Sequence, residues 1–160
     1  MNAAARAWLF GLIGLGGAGL VAFAPLPWEY KLVLWVVLLN ITGDLGGRWF
    51  AYLGLLLGGL GFFNPTDAWW TTFPLMLFVT WAFLVLKHTL RVYGVVLGLL
   101  MVFAVFAALK IAVPLMDPEL KLLTSNSFMM PALVAFLISS IFHVWVYFAS
   151  RTNTPQTSAA

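Results

Sequence analysis

The chain has 160 residues, of which 63% are hydrophobic and only 8% charged, with a mean hydropathy of +1.02. A soluble domain carries about 25% charged residues, and one this small cannot hide so much apolar side chain from water, which excludes both a soluble globular protein and a disordered chain. The absence of cysteine removes disulfides, thiolate metal sites and cysteine nucleophiles.

The apolar runs predict an all-α, polytopic membrane bundle with about six transmembrane helices, near residues 7–24, 28–42, 49–63, 69–86, 93–116 and 128–148. The first run, Ala7 to Ala24, is 18 residues without a charge, about 27 Å as a helix and enough to cross a hydrocarbon core. Arg6 before it and Ala22-Phe23-Ala24 after it imitate a signal peptide. The run exceeds the ~7–15 residues of a signal core and carries five glycines suited to close helix packing, so it reads as a retained helix. Pro25-Leu26-Pro27 ends it.

Lys31 to Thr42 and Trp49 to Phe63 are short apolar stretches separated by Gly43-Asp44-Leu45-Gly46-Gly47-Arg48. They read either as two spans joined by a tight turn or as a re-entrant pair covered by protein; two spans is preferred, the first extended back through Trp28. Asn64-Pro65-Thr66-Asp67 is a turn cluster. The fourth run opens on the interfacial anchors Trp69 and Trp70 and closes on Lys87-His88-Thr89-Leu90-Arg91. The fifth is broken only by Lys110 and by Pro114. The sixth follows Ser and Asn residues able to cap its start and ends at Arg151. Residues 152–160 read as a disordered polar tail. The whole of 1–151 is one membrane domain.

With six spans, Arg6, Arg48, Lys87, Arg91 and Arg151 share one side, against Lys31 and Lys121 on the other, joined by Lys110 if it snorkels out from its helix end. That asymmetry favours both termini in the cytoplasm.

The acidic residues Glu29, Asp44, Asp67, Asp117 and Glu119 all fall in connections on this reading. Asp117 and Glu119 could imitate a carboxylate pair, but Pro118 between them favours an exposed turn. Ser139 and His143 share a helix face. Their side chains run parallel, however, whereas a nucleophile and its base usually come from different elements. No catalytic residue, cofactor or metal site is expected. Haem ligation by two histidines is disfavoured because His143 counts to roughly 12 Å inside its helix while His88 falls in a basic loop. Ser139, His143 and Tyr147 form an intramembrane polar stripe, bordered by Ser140, that should face protein rather than lipid.

Small-xxx-small spacing recurs at Gly54 and Gly58 and at Gly94 and Gly98, marking helix packing or a partner interface. A short span, a glycine-containing turn, then Gly54-Leu-Leu-Leu-Gly58-Gly59-Leu60-Gly61-Phe62-Phe63-Asn64 and a span ending in basic residues resembles the rod-shape-determining MreD family, mainly over residues 31–90. The family's acidic position falls near 62–64, and the nearest carboxylate here is Asp67. The resemblance implies a non-enzymatic membrane scaffold of the cell-wall elongation machinery, in a bacterial inner membrane. Its partners would be a bitopic MreC-like protein and, alongside it, RodA and a class B penicillin-binding protein, with membrane lipid and without nucleic acid. Alternatives are a substrate-binding membrane subunit of an energy-coupling-type transporter and a respiratory or redox accessory subunit.

Overall fold

The computed structural model describes residues 2–62, 72–116 and 125–152. These form a bundle of six helices: α1 (Ala3–Phe23), α2 (Trp28–Leu45), α3 (Arg48–Phe62), α4 (Thr72–Leu90), α5 (Val92–Met116) and α6 (Asn126–Thr152). Three of them, over Ala3–Phe23, Val92–Leu115 and Asn126–Ser150, are long and apolar enough to cross a membrane, and Pro74–Leu90 is a shorter apolar helix. With large apolar side chains such as Leu20, Tyr93 and Leu115 at least three-quarters exposed on the outside, the chain is a membrane protein. The turn at 64–67, Trp69, Trp70, the acidic pair Asp117 and Glu119, and the tail beyond Thr152 lie outside the described residues.

Helix ends follow local chemistry. The Asn2 side chain accepts from the Ala5 amide at 2.8 Å and caps α1, and Ser125 does the same for Phe128 at the start of α6. α2 runs three residues past its expected end at Thr42, because Gly43 and Asp44 stay helical and Gly46 forms the cap. The chain then reverses at Gly47, whose φ of +105° suits glycine, and α3 begins at once. α4 likewise continues through the residues expected to form a basic loop, and only Arg91, at φ 56°, separates it from α5.

α2 is the centre of the bundle, in contact with α1, α3, α4 and α6. It runs parallel to α6 and in register with it, from the Trp28–Phe128 ring stack at one end to the Asp44–His143 contact near the other. Trp35, Val36 and Leu39 of α2, Phe83 of α4 and Phe136 of α6 are fully buried between the helices, with the Phe83 and Phe136 rings 5.0 Å apart. Apolar side chains gain little by leaving lipid for protein, so close packing depends on small residues. A Cβ at Gly11 would strike the Phe50 ring, and one at Gly46 would strike the Gly11 backbone. α1 therefore lies directly on the α2–α3 turn.

Candidate functional site

The C-terminal end of α2 poses an electrostatic problem. The last carbonyls of a helix carry partial negative charge, α2 has no basic residue in its last turn, and Asp44 adds a full negative charge there. Water cannot relieve it, since the Asp44 side chain is only 2% exposed. α4 supplies the answer. Lys87, itself fully buried, places Nζ 3.0 Å from Asp44 Oδ1 and 3.1 Å from Oδ2, and donates a further hydrogen bond to the Asn40 carbonyl at 3.2 Å. One ammonium thus neutralises the carboxylate and completes the helix end. A charge buried in an apolar bundle without such a partner would be prohibitive.

α6 contributes the third side. His143 Nδ1 lies 2.8 Å from Asp44 Oδ1; because the carboxylate accepts, Nδ1 carries the hydrogen. His88, on α4 beside Lys87, donates from Nδ1 to the Leu84 carbonyl at 2.7 Å and turns Nε2 toward Asp44 Oδ1 at 3.8 Å. The ring fits only because position 43 is glycine: a Cβ there would lie 2.8 Å from His88 Cε1. Asp44, Lys87, His88 and His143 therefore form one buried ionic cluster that ties α2, α4 and α6 together.

This arrangement corrects two expectations. Asp44 is not in a connection but inside α2, and the two histidines are not separated in depth, since both address the same carboxylate oxygen. The helical continuation of α4 through Leu90 carries His88 back into the bundle. The carboxylate occupies the space between the imidazoles, so they do not face each other across a slot for a porphyrin. No group of three His, Asp or Glu side chains suited to a metal ion occurs among the described residues.

The residues singled out from sequence divide into two sets. In the polar stripe, Ser139 is fully buried and Ser140 is nearly so, each hydroxyl donating to the carbonyl four residues earlier at 2.7 Å. His143 joins the cluster, and Tyr147 is half-buried beside Phe148, its ring centroid 5.6 Å away. Gly54, Gly58, Gly94 and Gly98 are all buried within the bundle. Gly54 lies against Leu39, and its carbonyl accepts from Trp35 Nε1 at 3.4 Å. Gly58 lies under the Trp35 indole. Gly94 lies against the Leu86 carbonyl and Gly98 against the Phe83 ring, closing the α4–α5 hairpin.

Asp44, Lys87, His88 and Asn40 are the residues that sequence reasoning missed. A usable signal existed for Lys87: Thr80, Phe83, Leu84 and Lys87 lie on one helical face, and the first three are buried, so the lysine had to point inward and find an anion. Compared with known proteins, the chain matches no family model, no curated protein and no solved structure.

Proposed function

We propose that the protein is a non-enzymatic, multi-pass membrane scaffold that holds a single-span partner helix in the bilayer. The observation that supports this reading is the division of labour between inside and outside. The buried charges are spent on one another in the Asp44 cluster, which fixes α2, α4 and α6 as a rigid unit. The outer side of α5 and α6 carries an apolar groove lined by Val95, Leu99, Leu137, Ile141, Val144 and Trp145, with Ser140 at its edge. A groove between two adjacent helices has the shape to receive a third, and a small hydroxyl residue there permits close approach. The MreD resemblance over residues 31–90 supports the same kind of activity and specifies the partner as a bitopic MreC-like protein of wall elongation.

The six helices alternate in direction, so that the starts of α1, α3 and α5 and the ends of α2, α4 and α6 lie at one end. Arg6, Arg48, Lys87, Arg91 and Arg151 occupy this end of their helices. In the scaffold reading this is the cytoplasmic side, following the positive-inside rule.

The test is photocrosslinking in intact membranes from a reactive amino acid at Trp145, with Leu20 on the outer face of α1 as the control. The reading expects a single-span protein captured from position 145 and not from position 20. Capture of an ATPase-linked transporter subunit, or of lipid alone at both positions, contradicts it.

A further inference from the structure

The cluster around Asp44 has donors and acceptors that do not balance. His88 Nδ1 faces a backbone carbonyl at 2.7 Å, and a carbonyl can only accept, so Nδ1 is the protonated nitrogen of the neutral ring. Nε2 then presents a lone pair toward Asp44 Oδ1, 3.8 Å away. It is buried and meets no hydrogen-bond partner. Two acceptors thus confront each other inside the bundle, at a separation too short to admit a bridging water. The opposite tautomer cures nothing, because it sets a lone pair against the Leu84 carbonyl. Only the doubly protonated ring turns a hydrogen toward both neighbours, and it makes the 3.8 Å contact with Asp44 one between opposite charges.

We propose that the Asp44 cluster is a binding site for one proton, held on His88 Nε2 between the imidazole and the Asp44 carboxylate. A hydronium ion supplies the proton, a bond forms to Nε2, and water is released. The cluster passes from zero net charge, with Asp44 balanced by Lys87, to one positive charge. The groups that act on His88 come from every helix packed around it. Asp44 on α2 attracts the proton, while burial of the ring and Lys87 on α4 oppose it. His143 on α6 competes for the same carboxylate oxygen, but its own Nε2 is buried without a partner and faces no anion. Arg48 at the start of α3, Arg91 before α5 and Arg6 on α1 are exposed to the outside, and Lys110 lies toward the far end of α5 and is exposed as well.

The site opens in one direction. His88 is 14% exposed and stands one turn from the end of α4, whereas the region deeper in the bundle is filled by Leu39, Val36, Phe83 and Phe136, all fully buried. A proton therefore enters and leaves from the side where α4 ends, and the bundle registers the acidity of that compartment without conducting protons across.

With only two histidines in the chain, the test is direct. The full protein, labelled with nitrogen-15 histidine in phosphatidylcholine nanodiscs, is followed by NMR from about pH 8 to about pH 5, the range over which histidine changes charge. His88 should pass from one ring N–H to two. In Asp44→Asn the doubly protonated form of His88 should be lost across the range, and in Arg48→Gln it should remain. A second arm needs no fold-sensitive aspartate variant: acid titration of unbuffered nanodiscs should show uptake smaller by one proton per chain in His88→Gln and unchanged in Arg48→Gln. A singly protonated His88 throughout the range in the wild type overturns the proposal. So does a doubly protonated His88 in a folded Asp44→Asn protein, or an equal proton count in wild type and His88→Gln.

Discussion

Lys87 bonds Asp44 across 43 residues of sequence, and the contact joins α4 to the C-terminal end of α2. Both side chains are almost completely enclosed. Neither residue has a helical reason to be where it is: a carboxylate at a helix C-terminus opposes the helix dipole, and a lysine on the inward face of an apolar helix opposes burial. Each removes the other's penalty, and together they fix how α2 and α4 meet. The imidazole of His143 adds α6 to the same oxygen.

The glycines sort into those that carry packing and those that do not, and substitution should separate them. At Gly58 any side chain collides with Trp35, and at Gly94 with the Leu86 carbonyl. Gly58→Leu and Gly94→Leu should therefore insert normally, since leucine favours insertion, but lose about 1–3 kcal/mol each from overpacking. Gly16 and Gly19 have open space around their missing Cβ atoms, so Gly16→Ala and Gly19→Ala should be neutral or stabilising by up to about 1 kcal/mol. Thermal melting of the four variants in mild detergent distinguishes them; equal losses at all four positions would show that the glycines do not line these contacts.

His143 and Lys87 both bond Asp44, yet their removal should differ in cost. His143→Leu takes away one hydrogen bond and leaves the ion pair, a loss of about 1–2 kcal/mol on the scale of interhelical hydrogen bonds in membranes. Lys87→Leu leaves the carboxylate buried without a cation, which costs about 3–5 kcal/mol. SDS titration of the purified variants gives the order directly. A His143→Leu loss equal to or larger than that of Lys87→Leu would mean that the imidazole carries the cluster.

Reporter fusions test the alternating arrangement of helices. Fusions after Arg91 and after Arg151 should both read cytoplasmic, because α4 and α6 end on the same side and that side gathers the arginines. A fusion within 117–121 should read external. Opposite readings at Arg91 and Arg151 would mean that only one of α5 and α6 crosses the membrane.

The helix order was legible from residues alone, because Pro25 and Pro27 stop α1 and the apolar runs are long. The inward face of α6 was legible as well: Ser139 and His143 cannot be turned to lipid cheaply, and both face protein. The ends of α2 and α4 were not. Gly43-Asp44 and Lys87-His88 look like polar breaks when each segment is read by itself, since the partner that neutralises each charge is more than 40 residues away in sequence. Gly43 appears as a turn residue until the His88 ring is seen lying against it. Small-residue spacing at Gly54 and Gly58 announced a close approach but not its partner; Trp35 and Leu39 of α2 supply it from within the chain.

Asp44 and Lys87 act as one unit inside the bundle, and a double-mutant cycle measures this most directly. Unfolding free energies are determined in the same detergent for wild type, Asp44→Asn, Lys87→Met and the double variant. Each single change should cost about 3–5 kcal/mol by stranding a buried polar or charged partner, and the double variant should be no less stable than the worse single one. The coupling should then amount to several kcal/mol. Additive losses, with a coupling within about 0.5 kcal/mol of zero, would contradict the ion pair and with it the cluster that joins α2, α4 and α6.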